Sequence, residues 1–485
     1  MTPPPTPVHV DVLIIGAGLS GIGAAARLTQ EHPQRSYLVL EARAASGGTW
    51  DLFRYPGIRS DSDMFTMGYR FRPWRSNQAL ADGRSILEYV RDTAREYGVD
   101  GRIRYRHRVV DADWDSATAR WTVTAETPDG PVTFTAGFLW ACTGYYDYDE
   151  PHRPELHGSE RYGGVIVHPQ HWPEDLDTTG KRVVVIGSGA TAMTLVPSLA
   201  DAGAAHVTML QRSPTYVLPR PAVDGFARAV RRWLPERASY VVTRWKNILL
   251  ALVSYQLSQR APRLAKRLIR QATAKQLPEG YPVDVHFRPS YDPWDQRLCL
   301  VPDGDLFRTI REGTVSVVTD TIESLTETGV RVSSGEELPA DVVVTATGFD
   351  LKLIGDVVLG VDGEKVDLRG RMTYRALMFG GVPNFAFTIG YTNASWTLKA
   401  DLVADYVCRV LAHLDRNGYR AVVPVPDATV GPAPFMDFTP GYVLRSQHLL
   451  PKQGDREPWR LRQNYLYDVR TIRRSPIDDG VLHFT

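Results

Sequence analysis

Apolar residues fall into short continuous runs along this chain, and two of these runs lead straight into glycine-rich turns. Val10–Ile15 (VDVLII) has the length and, apart from Asp11, the continuous hydrophobicity of a strand buried in the middle of a parallel sheet. Gly16–Ala17–Gly18–Leu19–Ser20–Gly21 follows, then an alanine-rich helix to about Thr29, then a second apolar strand, Tyr37–Leu40, ending at Glu41. The pattern recurs from Lys181–Ile186 through Gly187–Ser188–Gly189–Ala190–Thr191–Ala192, a helix to about Ala202 and a strand His206–Leu210 that ends at Gln211–Arg212. Strands alternating with helices in this way predict an α/β fold with two Rossmann-like units. Elsewhere the periodicity predicts an amphipathic helix over Ile86–Tyr97 and strands over Val109–Asp113, Arg120–Ala125, Phe138–Thr143 and Glu337–Thr347. A helix opens at Asn393–Ala394–Ser395–Trp396 and runs to about Leu414, with Asn393 or Ser395 suited to cap it.

The two loops carry chemistry. Their glycines let a backbone approach a pyrophosphate seated on a helix N-terminus. An acid about 20 residues past the third glycine completes the dinucleotide fingerprint, and Glu41 is placed to accept hydrogen bonds from a ribose. In the second unit the corresponding position has no acid. Arg212 can instead pair bidentately with a ribose 2′-phosphate, which points to NADPH over NADH. Two dinucleotides therefore meet in one chain.

Composition narrows the reading. At 485 residues, 43% hydrophobic and 23% charged, the chain is globular and holds two or three domains. We expect a first domain at 1–146, a second at 147–335 with an insertion at about 222–290, and a return to the first domain at 336–485; Asp147–Gly158 serves as linker and Pro3–Pro7 as a loose arm. The net charge of +1 excludes a polyelectrolyte binder. Cys142, Cys299 and Cys408 are far apart, which favours a reducing compartment and speaks against a structural zinc site or a paired-cysteine reductase; no metal is expected. No signal peptide and no spanning segment are expected, so the protein is read as cytoplasmic. The insertion stands apart: Phe226–Glu279 carries twelve Lys/Arg against Glu236 and Glu279, with Trp233, Trp245 and the apolar run Ile248–Tyr255 among them. It reads either as a solvated basic face over a packing stripe or as a surface resting on anionic lipid. Nothing in it matches a nucleic-acid motif, and the oligomeric state stays open.

Three further stretches carry a resemblance. Tyr162, Gly164, His168, Trp172 and Pro173 in YGGVIVHPQHWP match F-x-G-x-x-x-H-x-x-x-W-[P/D], with Tyr162 for Phe. Gly48, Trp50, Tyr55, Pro56, Gly57 and Asp61 match G-x-W-x-x-x-x-[FY]-P-G-x-x-x-D, and Asp341–Phe349 matches D-x-x-[ILV]-x-A-T-G-[FY]. By these the chain resembles the type I Baeyer–Villiger monooxygenases. Flavin-containing N- and S-monooxygenases tend to carry Tyr where Trp172 stands. The runs DLFRYPGIRSDSDM, HPQHWPEDLD, IGSGATA, PWDQRLCLVP and GYTNASWTLKADL are similar to a branch that oxidises thioamide sulfur as well as ketones.

The resemblance implies FAD and NADPH as cofactors and a ketone or sulfide plus O2 as substrates. One oxygen atom is inserted beside the ketone carbonyl through a C4a-peroxyflavin, giving an ester or lactone. It further implies cofactor contacts at Gly16, Gly18, Ser20, Gly21, Glu41, Thr49, Trp50, Asp51, Leu52, Arg59, Ser60, Asp61, Val109 and Asn393. Around the second loop it implies them at His168, Trp172, Gly187, Ser188, Gly189, Ala190, Thr191, Ala192, Thr194, Arg212 and Ser213. Arg297 in YDPWDQRLCL takes the catalytic position, with Asp61 orienting it. An Arg, protonated at every accessible pH, can hold an anion without quenching it. Gln296 stands where many members have Lys, which removes one cation from the nicotinamide nucleotide. The rival activities are N- or S-oxygenation of soft nucleophiles and NADPH oxidation without oxygen transfer.

Overall fold

The computed structural model describes residues 7–296, 298–436 and 439–485. Two sheets organise them. The larger has nine strands and is mixed. At its centre Val8–Ile15 lies parallel to Tyr37–Glu41 on one side and to Gly130–Ala141 on the other. Val12, Leu13 and Ile14 are fully buried, each contributing about 1.5–3 kcal/mol. Helix Leu19–Glu31 covers one face and packs on the long helix Trp396–Asn417.

Gly130–Ala141 is longer than the expected Phe138–Thr143. Its first half pairs antiparallel with Arg120–Thr127, which pairs with Arg108–Asp115. That half alternates in burial, with one face towards solvent, so it leaves no continuous apolar run to read.

The second sheet is wholly parallel, in the order Val315–Thr319, His206–Gln211, Arg182–Ile186, Val342–Thr345, Val165–Val167. The single strand expected over Glu337–Thr347 is two. Glu337–Pro339 closes a small antiparallel sheet with Gly329–Val332, and Val342–Thr345 enters the parallel sheet. Pro339 has no N–H to carry a ladder onward, and Asp341 turns its carboxylate to the Arg182 guanidinium and backbone. Residues up to Thr345 thus still belong to the parallel sheet, and the chain re-enters the large sheet with Val358–Val361, later than 336.

The insertion is helical: Gly225–Val230, Glu236–Arg260 and Pro262–Ala274. Pro262 opens the third helix where its missing N–H costs nothing. No helix among the described residues is long and apolar enough to cross a membrane.

Candidate active site between the two nucleotide units

Each glycine loop is shaped by packing from below and left open above. Gly16 has φ +99°, and a Cβ there would lie 2.7 Å from the Cys142 carbonyl oxygen; one on Gly21 would lie 1.8 Å from the Gly16 oxygen. In the second loop Gly187 has φ +134°, with the Ala346 oxygen 2.2 Å from its missing Cβ. Ala192, in the third glycine's place, is fully buried. Gly189 differs: nothing lies within 4 Å of its missing Cβ, and it caps helix Ala190–Asp201. This is the fit that a pyrophosphate requires, with tight packing at the outer positions and an open middle facing backbone N–H groups. Gly18 likewise caps Leu19–Glu31, with only Gly48 nearby.

Around the first loop, Glu41 accepts from the Ala17 N–H at 2.7 Å and the Arg43 N–H at 2.9 Å. Burial pushes its carboxyl up despite these donors. Ser20 Oγ accepts from Trp396 Nε1 at 2.7 Å, and Thr49 Oγ1 shares a hydrogen bond with the Tyr148 hydroxyl. Asp51 is buried between Arg43 (2.8 Å) and Arg91 (2.7 Å), so its charge is already matched by protein. Val109 is buried in its strand, close after His107, whose N–H donates to the Glu41 carbonyl.

A cleft of 1510 Å³ lies between the units. On one side it is lined by Thr49, Trp50, Arg59, Ser60, Asp61 and Asn393. On the other side are Gly187, Ser188, Gly189, Ala190, Thr191, Thr194, Arg212 and Ser213. Arg212 is exposed and has no ion pair among the described residues. Ser188 Oγ bonds the Ser213 carbonyl and Thr215 Oγ1, which fixes the loop. Asn393 does not cap the helix that follows; its amide donates to the Gln463 carbonyl at 2.9 Å. Ser395 holds the cap position without a capping hydrogen bond, because its hydroxyl pairs with Thr66 at 2.6 Å. Arg297 lies outside the described residues, and so does the expected Asp61–Arg297 contact. Its chain neighbours Gln296 and Leu298 both line the cleft.

His168 and Trp172 are not among the cleft's lining residues. His168 Nδ1 accepts from the Gln170 N–H, its ring stands edge-on to Phe349, and burial lowers its pKa to about 4. Trp172 packs on the core of the parallel-sheet unit, as do Leu52, Phe53, Tyr55 and Ile58 from the other unit's loop. That loop is the feature the motif did not reveal. Its tip turns at Gly57 against Ser198, Tyr55 bonds Thr191, and Arg59 reaches Asp305 and the Met193 carbonyl.

The apolar run Ile248–Tyr255 of the insertion forms part of the cleft wall through Ile248, Leu252 and Tyr255, joined by Leu268 and Ile269 from the next helix. The i, i+4 spacing of Ile248 and Leu252 puts both on one helix face. The "basic face" is divided as well. Arg231, Arg244, Lys246, Lys266 and Arg270 are spent on protein partners. Arg228, Arg232, Arg237, Arg260, Arg263, Arg267 and Lys275 are exposed without ion pairs among the described residues.

Comparison with known proteins agrees with this geometry. The flavin-binding monooxygenase-like family matches residues 77–379, and an NAD(P)-binding Rossmann-like domain matches residues 14–76. The FAD-containing monooxygenase EthA of Mycobacterium tuberculosis is 57% identical over 477 residues, 98% of each chain. EthA of Mycolicibacterium smegmatis is 54% identical over 478 residues, 98% of this chain and 97% of the relative. Among solved structures, an oxidised steroid monooxygenase bound to NADP superimposes with a TM-score of 0.73 at 25% identity, covering 87% of this chain and 88% of that one. With one cleft lined by the second glycine loop and by residues within 49–61 of the first unit, the chain belongs to the flavin-binding monooxygenase-like family and is an FAD-dependent monooxygenase.

Proposed function

We propose that this monooxygenase uses NADPH and O2 to insert one oxygen atom beside a ketone carbonyl, yielding an ester or lactone, and that it also oxidises sulfides. The observation that carries the reading is the single cleft lined both by the second glycine loop with Arg212 and by the loop Thr49–Asp61 of the first unit. Bound FAD, reduced by NADPH, supplies the activation of oxygen. The chain's own residues do the rest. Glu41 and the first glycine loop hold the FAD dinucleotide. The open face at Gly189 takes the second pyrophosphate, and Arg212, free of protein anions among the described residues, takes the 2′-phosphate. Asp61, on the cleft wall, orients the cation of Arg297. That guanidinium holds the negative charge that develops on the carbonyl oxygen of the substrate, a place where one preorganised donor is worth about 10²–10³ in rate. Support for Arg297 comes from its motif and from Gln296 and Leu298 on the cleft wall.

The test is product analysis with a simple ketone under ¹⁸O₂, using protein that carries its flavin. One ¹⁸O atom in the ester is expected. Arg297→Ala should retain FAD and still consume NADPH, releasing hydrogen peroxide, while ester formation drops by about 10²–10³-fold. Ester at the wild-type rate from Arg297→Ala would remove Arg297 from the role. Sulfoxide without any ester from the wild type would turn the reading to sulfur oxygenation.

A further inference from the structure

Helix Glu236–Arg260 is 25 residues long, roughly 37 Å. Its inner face is buried through Tyr240, Arg244, Asn247 and Ile248. Its outer face is bare: Val242 is 41% exposed, Leu249 48%, Leu250 57% and Val253 65%. Between Arg237 and Arg260 the only charges are Arg244 and Lys246, and both turn to carboxylates of the protein, Asp401 and Asp224. A continuous apolar face of this kind marks a surface that something covers.

Two observations say what covers it. The face runs into the cleft, because the exposed side chains Leu250, Leu257 and Leu268 are also cleft-lining residues. It is also flanked by cations without ion pairs among the described residues: Arg228, Arg232 and Arg237 towards one end, Arg260, Arg263 and Arg267 towards the other. A second copy of the chain seated here would bring like charges together. A surface of anionic headgroups supplies the countercharge, while the apolar ridge enters the boundary of the acyl chains.

We propose that the insertion docks the enzyme on an anionic bilayer and that apolar substrate passes from the lipid over Leu250, Leu257 and Leu268 directly into the cleft. The route of entry rests on the monooxygenase reading; the docking does not.

Flotation of the FAD-loaded protein with vesicles tests the docking. Vesicles of phosphatidylcholine with half phosphatidylglycerol should carry it at low salt and release it at high salt, and pure phosphatidylcholine should carry little. Leu249 and Val253 are exposed and do not line the cleft, so the double variant Leu249→Asp, Val253→Asp should fold yet lose flotation at least tenfold. It should oxidise a short water-soluble ketone like the wild type and lose at least tenfold in rate on a long-chain ketone dissolved in the vesicles. Charge reversal at Arg260, Arg263 and Arg267 should repeat the loss of flotation. Wild-type flotation by the double variant overturns the docking, and so does a concentration-dependent dimer in the wild type that the double variant abolishes. Equal turnover of the vesicle-borne ketone by both proteins overturns the route of entry. If the wild type floats but oxidises neither ketone, the docking stands and the monooxygenase reading fails.

Discussion

His168, in the stretch YGGVIVHPQHWP, is held by a near neighbour in sequence and by a distant aromatic ring. Its Nδ1 accepts the Gln170 N–H, and the half-buried ring lies against Phe349. Burial lowers its pKa to about 4, below the roughly 6.5 of free histidine. As pH falls, the unfolded chain therefore takes the proton first. The stability that the neutral ring contributes is present above about pH 6.5 and is lost as pH falls towards 4. Allowing for partial exposure, the loss by pH 5 is on the order of 1 kcal/mol. His168→Asn keeps an acceptor for Gln170 and removes the titration. Thermal melts at pH 7.5 and pH 5 should show a smaller acid shift in the variant than in the wild type; equal shifts would mean that His168 does not sense pH. The glycines were legible at this scale because each meets a local demand, whether a positive φ, a neighbouring carbonyl or an open face. His168 was not, because Phe349 lies 181 positions away along the chain.

Elements were legible where one periodicity governs the whole element, as in Val8–Ile15 and Ala190–Asp201. They were misread where the chain changes partners midway, at Gly130–Ala141 and at the break between Glu337–Pro339 and Val342–Thr345. The insertion was read as one basic face because charge is visible in sequence and direction is not. Arg244 lies inside it, its side chain 4% exposed, 3.0 Å from Asp401. It also donates to the carbonyls of Phe65, Thr66 and Gly68, and so clamps the long helix onto the segment that follows Asp61. Removing one partner of a buried pair costs about 3–5 kcal/mol, because the other charge is stranded. Arg244→Met should therefore raise hydrogen exchange across Glu236–Arg260 by about 10²–10³-fold, read by mass spectrometry. Adding Asp401→Asn, which can still accept from the Arg70 N–H, should recover part of this. A change below tenfold in Arg244→Met would show that the helix is held by its apolar contacts alone.

Two cofactors can react only if the two nucleotide units keep register across the cleft, and the loop at 53–59 is the contact expected to set it, because it packs on the second unit. The sequence announced the two units and their order but not this bridge, since nothing local says that a loop of the first unit will bury Phe53 and Tyr55 in the core of the second. The bridge turns at Tyr55–Pro56–Gly57–Ile58, where the Ile58 N–H donates to the Tyr55 carbonyl and Gly57 sits at φ +74°, the third position of a type II turn. A Cβ on Gly57 would lie 1.8 Å from Ser198 Oγ and 2.7 Å from Ser198 Cβ, on helix Ala190–Asp201 of the second unit. Gly57→Ala must therefore lift the loop off that helix, in addition to the cost of a left-handed alanine. The FAD site keeps Glu41 and its own glycine loop, so flavin content should be unchanged. In the proposed reading the nicotinamide nucleotide is held by the unit the loop has lifted from. A displacement on the order of 1 Å between reacting groups can cost up to about 10²-fold in rate. Anaerobic stopped-flow reduction of the bound flavin by NADPH should slow by about 10- to 10²-fold in Gly57→Ala. Ser198→Gly on that background, which makes room for the methyl group, should restore part of the rate. Reduction at the wild-type rate in Gly57→Ala would show that the cofactors find their register without the loop.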